Sequence, residues 1–164
     1  MKGPERVQAA LKEAGLDIHI VQLQESARTA QLAADALGTA LGSIVKSLLF
    51  LADGEPVSVL VAGDRRADPA KLKRLLGAQR VVMADAERVR QETGFSIGGV
   101  PPIGHPQALP TWIDASLARF ETVYAAAGHP HAVFPIAFEA LVRITGGRVA
   151  DVTQSPSTEE KRRT

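Results

Sequence analysis

The chain has 164 residues, of which 45% are hydrophobic and 23% are charged, and its formal net charge is +1. This composition is typical of one globular domain with a buried core, and the near-zero charge does not predict a wide nucleic-acid footprint. The sequence contains no cysteine, which excludes disulfides and thiolate catalysis. No apolar run reaches the roughly 18 residues of a membrane span, and the start lacks a signal-peptide core, so we expect a cytoplasmic protein without a membrane partner.

Apolar periodicity, capping residues and turn residues predict an alternation of helices and strands. In the first half of the chain we expect a helix over 4–14, a strand over 17–23, a helix over 30–37 and strands over 44–52 and 57–62. A helix over 71–76, a strand over 80–83 and a helix over 85–92 follow. In the last part we expect a strand at 109–114, a one-turn helix capped by Ser116, strands at 121–127 and 132–136, a helix over 137–145 and a strand over 148–152. This predicts one domain over 1–152. The polar tail over 153–164 is expected to be disordered.

The segment 93–105 combines four glycines and two prolines with apolar residues. Glycine lets a backbone approach a ligand closely, whereas proline fixes its own φ and lacks an N–H donor. Gly98 and Gly99 could therefore offer their amides to a ligand, and Pro101 and Pro102 would hold the loop rigid. Glycine and proline also mark ordinary turns, so these residues alone fit a structural connection equally well.

Two further residues are candidate anion contacts. Lys46 stands in an otherwise apolar strand, where an ammonium group is unfavourable unless it meets an anion or reaches water. Its alternative role is a side chain that extends to solvent from the strand end. Thr29 precedes the helix over 30–37 and could offer its hydroxyl to an anion, although simple capping explains it as well.

Three common catalytic designs fit poorly. Ser47, His105 and Asp114 are the residue types of a serine-hydrolase triad, but nothing in their spacing joins them. His129 and His131 could supply two metal ligands, yet no further His or carboxylate motif accompanies them, so we expect no metal. No Gly-x-x-x-x-Gly-Lys-Ser/Thr phosphate loop is present. A site of backbone amides and one lysine that positions an anionic substrate fits better.

Several stretches, in this order and spacing, match one family. They are Ile-Val-Lys-Ser-Leu-Leu-Phe over 44–50, Gly-Asp followed by Lys-Leu and Leu-Gly over 63–77, Gly98 and Pro102 in a Gly-x-x-x-Pro signature, and Leu-Pro-x-x-Ile-Asp over 109–114. Over about residues 4–152 the chain resembles the YbaK/prolyl-tRNA-synthetase-associated domain family. Its members are free-standing aminoacyl-tRNA deacylases related to the editing insertion domain of bacterial prolyl-tRNA synthetases.

The resemblance implies a mixed α/β fold with a curved, partly barrel-like mixed sheet surrounded by helices. It implies hydrolysis of the ester that joins a wrong amino acid to the terminal adenosine of a tRNA, usually proline tRNA, without metal or other cofactor. Lys46 would hold the substrate at the tRNA 3′ end, and Gly98 and Gly99 would assist catalysis with their amides. We expect substrate contacts from Thr29, Val100, Pro101, Pro102, His105 and Asp114.

One departure concerns the amino acid. Cysteine-removing members carry Ser-Pro and then Gly-Gln-Lys in this loop, whereas this chain has Pro101-Pro102 and Gly104-His105. Alanine or another small amino acid is therefore at least as good a candidate as cysteine. A second interpretation is a non-catalytic module that binds tRNA ends or a synthetase such as prolyl-tRNA synthetase.

Overall fold

Five helices and eight strands form the fold in the computed structural model, which describes residues 3–154. The helices are α1 (Gly3–Glu13), α2 (Ala30–Leu37), α3 (Pro69–Leu76), α4 (Ala86–Thr93) and α5 (Phe138–Thr145). The strands are β1 (Val21–Gln22), β2 (Ile44–Ala52), β3 (Glu55–Ala62), β4 (Val81–Met83), β5 (Thr111–Asp114), β6 (Thr122–His129), β7 (Ala132–Ala137) and β8 (Arg148–Ala150). All of these strands join one sheet, which confirms the mixed α/β class.

Capping side chains fix where three of the helices begin. Thr29, Asp68 and Asp85 accept hydrogen bonds from the first turns of α2, α3 and α4, where N–H groups have no helical partner. Each of these helices ends at a glycine with a left-handed backbone. The bounds expected for α2 are therefore confirmed. Among residues 3–154, no helix has the length and hydropathy that a membrane crossing requires.

Strand β2 lies at the centre of the sheet, whose order is β1-β7-β6-β2-β3-β5-β8. It forms an antiparallel hairpin with β3 through a turn at Asp53 and Gly54, which both have positive φ, as a tight hairpin turn requires. β6 runs parallel to β2, and β3, β5 and β8 run parallel to one another. The sheet is therefore mixed.

The side of β2 that faces away from β3 is paired only at its two ends. β6 pairs with Ile44 and Val45, and β4 pairs with residues 50–52. Just before that second pairing, the N–H of Ala84 donates to the carbonyl of Leu49 at 3.0 Å. In the described part of the chain no strand pairs with residues 46–48 on this side. We call this opening the β2 notch.

Apolar side chains cover both faces of the sheet. On one face Val45 and Leu60 pack with residues of α1 and α5, and on the other Phe50 and Val59 pack with Leu72 of α3. Burial on both sides explains why β2 and β3 are nearly continuous apolar runs. This packing holds the β2 notch between two ordered layers.

The strand expected over 17–23 forms only at Val21–Gln22. The side chain of Gln8 in α1 explains the difference. Its amide donates to the carbonyl of Ile18 at 2.8 Å, and its carbonyl oxygen accepts from the N–H of Ile20 at 3.4 Å. These backbone groups are satisfied by a helix side chain, so they need no neighbouring strand.

Asp114 is a structural residue at the end of β5. Its side chain accepts hydrogen bonds from the N–H of Val152 at 2.9 Å, from the hydroxyl of Thr153 at 3.2 Å and from both the N–H and the hydroxyl of Ser116. Asp114, and not Ser116, therefore caps the short 3₁₀ helix over Ala115–Arg119. Because both carboxylate oxygens are occupied within the protein, the expected substrate contact of Asp114 is corrected to this structural role.

The ordered chain continues beyond the expected domain end at 152. Thr153 pairs with Ala67, and the N–H of Gln154 donates to the carbonyl of Arg66 at 2.8 Å. Residues 155–164, for which we expect disorder, lie outside the described residues.

We expect Asp114→Ala to lower the free energy of unfolding by about 2–4 kcal/mol, because several buried donors lose their acceptor. Urea denaturation followed by circular dichroism measures the change. The control is Asp151→Ala, which removes an exposed carboxylate paired with Lys71 and should cost less than about 1 kcal/mol. Equal stability of the Asp114 variant and the wild type would contradict the assignment.

Candidate functional site

A cavity of about 350 Å³ opens at the β2 notch. The start of α2, the end of β4, the loop between α4 and β5, and strands β6 and β7 surround it, and most of its lining is apolar. Its volume is at the lower end of the range for small-molecule sites. Its lining includes charged, polar and apolar residues, among them Arg28, Thr29, Val45, Lys46, Ser47, Leu49, Ser58, Gly98, Val100 and His105.

Lys46 lines this cavity from the central strand. Its Nζ donates to the carbonyl of Arg65 at 2.5 Å. Burial lowers the pKa of Lys46, and the charge of Arg66 lowers it further, whereas Asp64 acts in the opposite direction. Part of the cost of placing this ammonium group here is thus uncompensated, and a bound anion would offset it.

The turn that supplies the Arg65 carbonyl is held by an ion pair. Both carboxylate oxygens of Asp64 accept hydrogen bonds from the guanidinium of Arg119, at 3.0 and 2.7 Å. A bidentate pair of this kind fixes geometry as well as charge. Gly42 packs against it, since an added Cβ would lie 2.8 Å from Arg119. The acceptor for Lys46 is therefore fixed in place.

Thr29 lines the cavity at the start of α2, as expected. Its Oγ1 accepts from the N–H of Leu32 at 3.2 Å, so the hydroxyl caps the helix. A hydroxyl that accepts one bond can still donate its proton to a ligand. Arg28 lines the cavity beside it and brings a second positive charge to the site.

Some residues of the glycine-rich loop over 93–105 line the cavity and others do not. Gly98 and Val100 line it, and Gly98 has φ +99°. Gly99 instead donates its N–H to the carbonyl of Ser96 at 3.1 Å, and an added Cβ would lie 2.8 Å from the backbone of His129. The expected amide contact from Gly99 is therefore not supported, because its N–H already has a partner and its backbone packs against β6.

Pro101 and Pro102 support the loop from behind. Both are buried, and neither lines the cavity at the β2 notch. The carbonyl of Pro101 accepts a hydrogen bond from Nε2 of His105 at 2.9 Å, and Pro102 lines a second cavity of about 250 Å³. The geometry does not support direct substrate contacts from these prolines.

His105 lies between the two cavities and lines both. Burial lowers its pKa, although the hydrogen bond to Pro101 acts in the opposite direction. A neutral His105 that donates from Nε2 keeps Nδ1 as an acceptor. This expected site residue is therefore in position to accept a hydrogen bond in the cavity.

Sequence reasoning assigned no cavity role to Arg28, Ser58, Thr93 or Tyr124. It named Ser47 only as a member of a triad that fits poorly. Ser47 and Ser58 lie in strands that otherwise read as apolar. A hydroxyl within such a strand is the signal that could have drawn attention to them, as the ammonium of Lys46 did.

Ser96 stands at the centre of Gly-Phe-Ser-Ile-Gly over 94–98, which has the spacing of a nucleophile elbow. An elbow joins a strand to a helix and points its serine at the substrate. Here the segment follows α4 and enters a loop, and Ser96 is exposed and does not line the cavity. The spacing therefore carries no nucleophile.

No three His, Asp or Glu side chains converge as metal ligands do anywhere in residues 3–154. The rings of His129 and His131 lie 5.6 Å apart, and each has a local hydrogen bond: His129 accepts from the backbone of His131, and His131 contacts the carbonyl of Leu23. Both histidines fit a structural role at the β6–β7 turn.

Residues 24–144 match the family model described as the aminoacyl-tRNA editing domain. The uncharacterized protein YwhH of Bacillus subtilis strain 168 is 36% identical over 110 residues, which is 66% of this chain and 69% of that protein. The proline–tRNA ligase of Nitratidesulfovibrio vulgaris strain DP4 is 48% identical over 68 residues, which is 42% of this chain but only 12% of the ligase.

A solved structure supports the same grouping. A crystal structure provisionally assigned as a trans-editing enzyme for prolyl tRNA synthetase superposes with a TM-score of 0.89 and 41% sequence identity. The match covers 94% of this chain and 99% of that one. The similarity therefore extends over nearly the whole fold.

The lowered pKa of His105 predicts a pH effect on stability. Its ordinary pKa is 6.5, so as the pH falls below about 6.5 the unfolded chain takes up this proton before the folded protein does, and the free energy of unfolding should fall. Urea denaturation at several pH values between about 7.5 and 5 tests this. His105→Gln should flatten the dependence, whereas His19→Gln, which changes an exposed histidine, should not. Identical pH profiles for wild type and His105→Gln would contradict the interpretation.

Proposed function

This chain belongs to the aminoacyl-tRNA editing domain family, and we propose that it hydrolyses the ester bond of mischarged aminoacyl-tRNA as a trans-editing enzyme. The observation that carries the proposal is the ammonium group of Lys46 beside a cavity of about 350 Å³. We place this activity in the cytoplasm, where aminoacyl-tRNA is used in translation.

The cavity and the positive charges beside it would bind two different parts of the proposed substrate, the aminoacyl group and the terminal nucleotide. We propose that the aminoacyl group enters the cavity and that the terminal nucleotide stays at its mouth. Lys46 and Arg28 then meet the phosphate or ribose of that nucleotide, and the nearby charge of Arg66 adds attraction. Asp64 opposes this attraction little, because Arg119 neutralises it.

The reaction needs no protein nucleophile. Water adds to the ester carbonyl, and donors around the cavity stabilise the negative charge that develops on the carbonyl oxygen. The N–H of Gly98 is one such donor, since the residue lines the cavity and its missing side chain leaves the backbone accessible. Neutral His105 accepts a hydrogen bond from the water or the substrate.

The cavity fits a small amino acid. Val45, Leu49 and Val100 form apolar walls, which suit alanine, cysteine or another small side chain. The similarity to proline–tRNA ligases supports proline tRNA as the carrier and prolyl-tRNA synthetase as a functional partner. The alternative, a module that binds tRNA ends without cleavage, is decided by the following experiment.

We expect the wild-type protein to release the amino acid from at least one member of an alanyl-, cysteinyl-, seryl- and prolyl-tRNA panel. Lys46→Ala should lower the single-turnover rate constant on the best substrate by about 100-fold or more, because a preorganised electrostatic contact is lost. Its melting temperature should stay near that of the wild type, since the substitution also removes a costly half-buried charge.

Two variants serve as controls for Lys46. Lys73→Ala removes an exposed lysine of α3 and should leave the rate unchanged. Lys46→Arg should rescue only in part, because a guanidinium is larger and directs its donors differently. A wild-type protein that binds tRNA but cleaves no ester would favour the binding module.

We also expect Gly98→Ala to reduce deacylation more than it reduces stability. At φ +99° any side chain is strained, and the new Cβ would lie 3.0 Å from Arg28 and narrow the cavity. Gly104→Ala is the matched control, since Gly104 has φ +86° in the same loop but does not line this cavity. We expect the two variants to lose similar amounts of stability, and only Gly98→Ala to lose deacylation rate. Equal rate defects would mean that the loop acts through folding alone.

A further inference from the structure

Ser47 carries a buried hydroxyl group that has no hydrogen-bond partner among the described residues. Leaving such a group unbonded is unfavourable, and valine would fill the same strand position without that cost. Ser47 nevertheless lines the cavity, next to Lys46 in sequence. These observations indicate a role for the hydroxyl that the ligand-free protein does not satisfy.

The backbone of Ser47 points into the same opening. Along an antiparallel pair, hydrogen-bonded and non-hydrogen-bonded positions alternate. Gly63 donates its N–H to the carbonyl of Ile44 at 2.8 Å, so Ile44 bonds toward the β3 side, and Lys46 does so two residues later. Ser47, opposite Leu60, therefore directs its N–H and carbonyl away from β3.

On that other side the Ser47 backbone meets the β2 notch. The pairing of β2 with β6 ends at Val45, and its pairing with β4 begins at Phe50. The direction inferred for Ser47 agrees with Leu49, two residues on, whose carbonyl accepts from Ala84 on this side. Ser47 thus directs its backbone N–H into the notch beside the cavity, and its hydroxyl, which is buried in the structure, is a second donor on the same residue.

We propose that Ser47 contacts the substrate directly, and that its N–H and hydroxyl stabilise the ester carbonyl oxygen during hydrolysis. The inference rests on the deacylation proposed above. Water adds to the carbonyl carbon, and the carbonyl oxygen becomes negative and accepts both hydrogen bonds from Ser47. The carbon–oxygen bond to the ribose then breaks as the carbonyl re-forms. The ribose oxygen takes up the proton that the water releases, so the products are a free amino acid and the tRNA hydroxyl.

Two features of the site favour Ser47 for this contact. The N–H of Gly99 is bonded to Ser96, so the glycine-rich loop offers only Gly98 as a donor of the expected pair. The hydroxyl of Ser47 can also rotate about χ1 toward a ligand without losing any hydrogen bond that the described residues show. We propose that this contact strengthens as charge develops on the carbonyl oxygen, because a donor contributes most to rate in the transition state.

The test compares Ser47→Thr with Ser47→Val, which have the same shape and differ by a hydroxyl against a methyl group. Single-turnover deacylation is measured on the best substrate of the panel, together with tRNA affinity and melting temperature. We expect Ser47→Thr to keep activity within about fivefold of wild type. Ser47→Val should be about 10- to 100-fold slower than Ser47→Thr, because one oxyanion donor is lost. The affinity for tRNA should be equal in both, and Ser47→Val should be at least as stable.

Ser43→Ala is the control for a purely structural serine on the same segment. The Ser43 hydroxyl donates to the carbonyl of Ala40 at 2.8 Å, and Ser43 does not line the cavity. This variant should lose stability and keep its rate, the opposite of the pattern expected for Ser47→Val.

Each other outcome overturns the inference. If the wild type is active and Ser47→Val cleaves as fast as Ser47→Thr, Ser47 is not a catalytic residue, and the proposed function stands. If Ser47→Val loses only tRNA affinity at an unchanged rate constant, the hydroxyl binds the ground state, and the oxyanion contact is wrong. If the wild type cleaves no aminoacyl ester, the proposed function fails together with this inference.

Discussion

The half-buried ammonium group of Lys46 is the feature on which the rest of the site depends. Burial and the charge of Arg66 act against its charged form, and the carbonyl of Arg65 together with Asp64 only partly compensates. Arg119 engages Asp64 through two hydrogen bonds, so that carboxylate cannot also close on the lysine as a full ion pair. The protein therefore keeps a positive charge beside its cavity that an incoming phosphate can satisfy.

The fold was predictable wherever its signals are local. Caps such as Asp68 and Asp85, and glycines that end helices, fix element bounds through contacts within a few residues, and these are readable from sequence. The strand expected over 17–23 is shorter in the structure, because the side chain of Gln8 in α1 forms hydrogen bonds with backbone groups of that segment. The parallel pairing of β2 with β6 joins residues about 80 apart, which no local pattern specifies.

The sequence indicates the segments that surround the cavity, but it does not indicate which residues of each segment face it. The glycine-rich loop lies beside the cavity, yet Gly98 lines it and Gly99 does not, because neighbouring residues in a bend point in different directions. Asp114 belongs to a stretch that resembles the family, yet its role in the structure is to accept internal hydrogen bonds. A sequence motif does not distinguish a residue with a chemical role from one with a structural role. The sequence shows Ser47 as a hydroxyl within an apolar strand, but the missing hydrogen bond that distinguishes it is visible only in the three-dimensional structure.

Strand register links the two roles assigned to β2. Lys46 and Ser47 are consecutive, so their side chains lie on opposite faces of the strand, and both reach the cavity only because the β2 notch leaves that edge open. A slip of one residue against β3 would exchange their directions. The hairpin turn prevents this: Asp53 has φ 48°, and its carboxylate accepts from the N–H groups of Gln79 and Arg80. A turn at the far end of the hairpin therefore sets which of the two residues directs its backbone N–H toward the β2 notch.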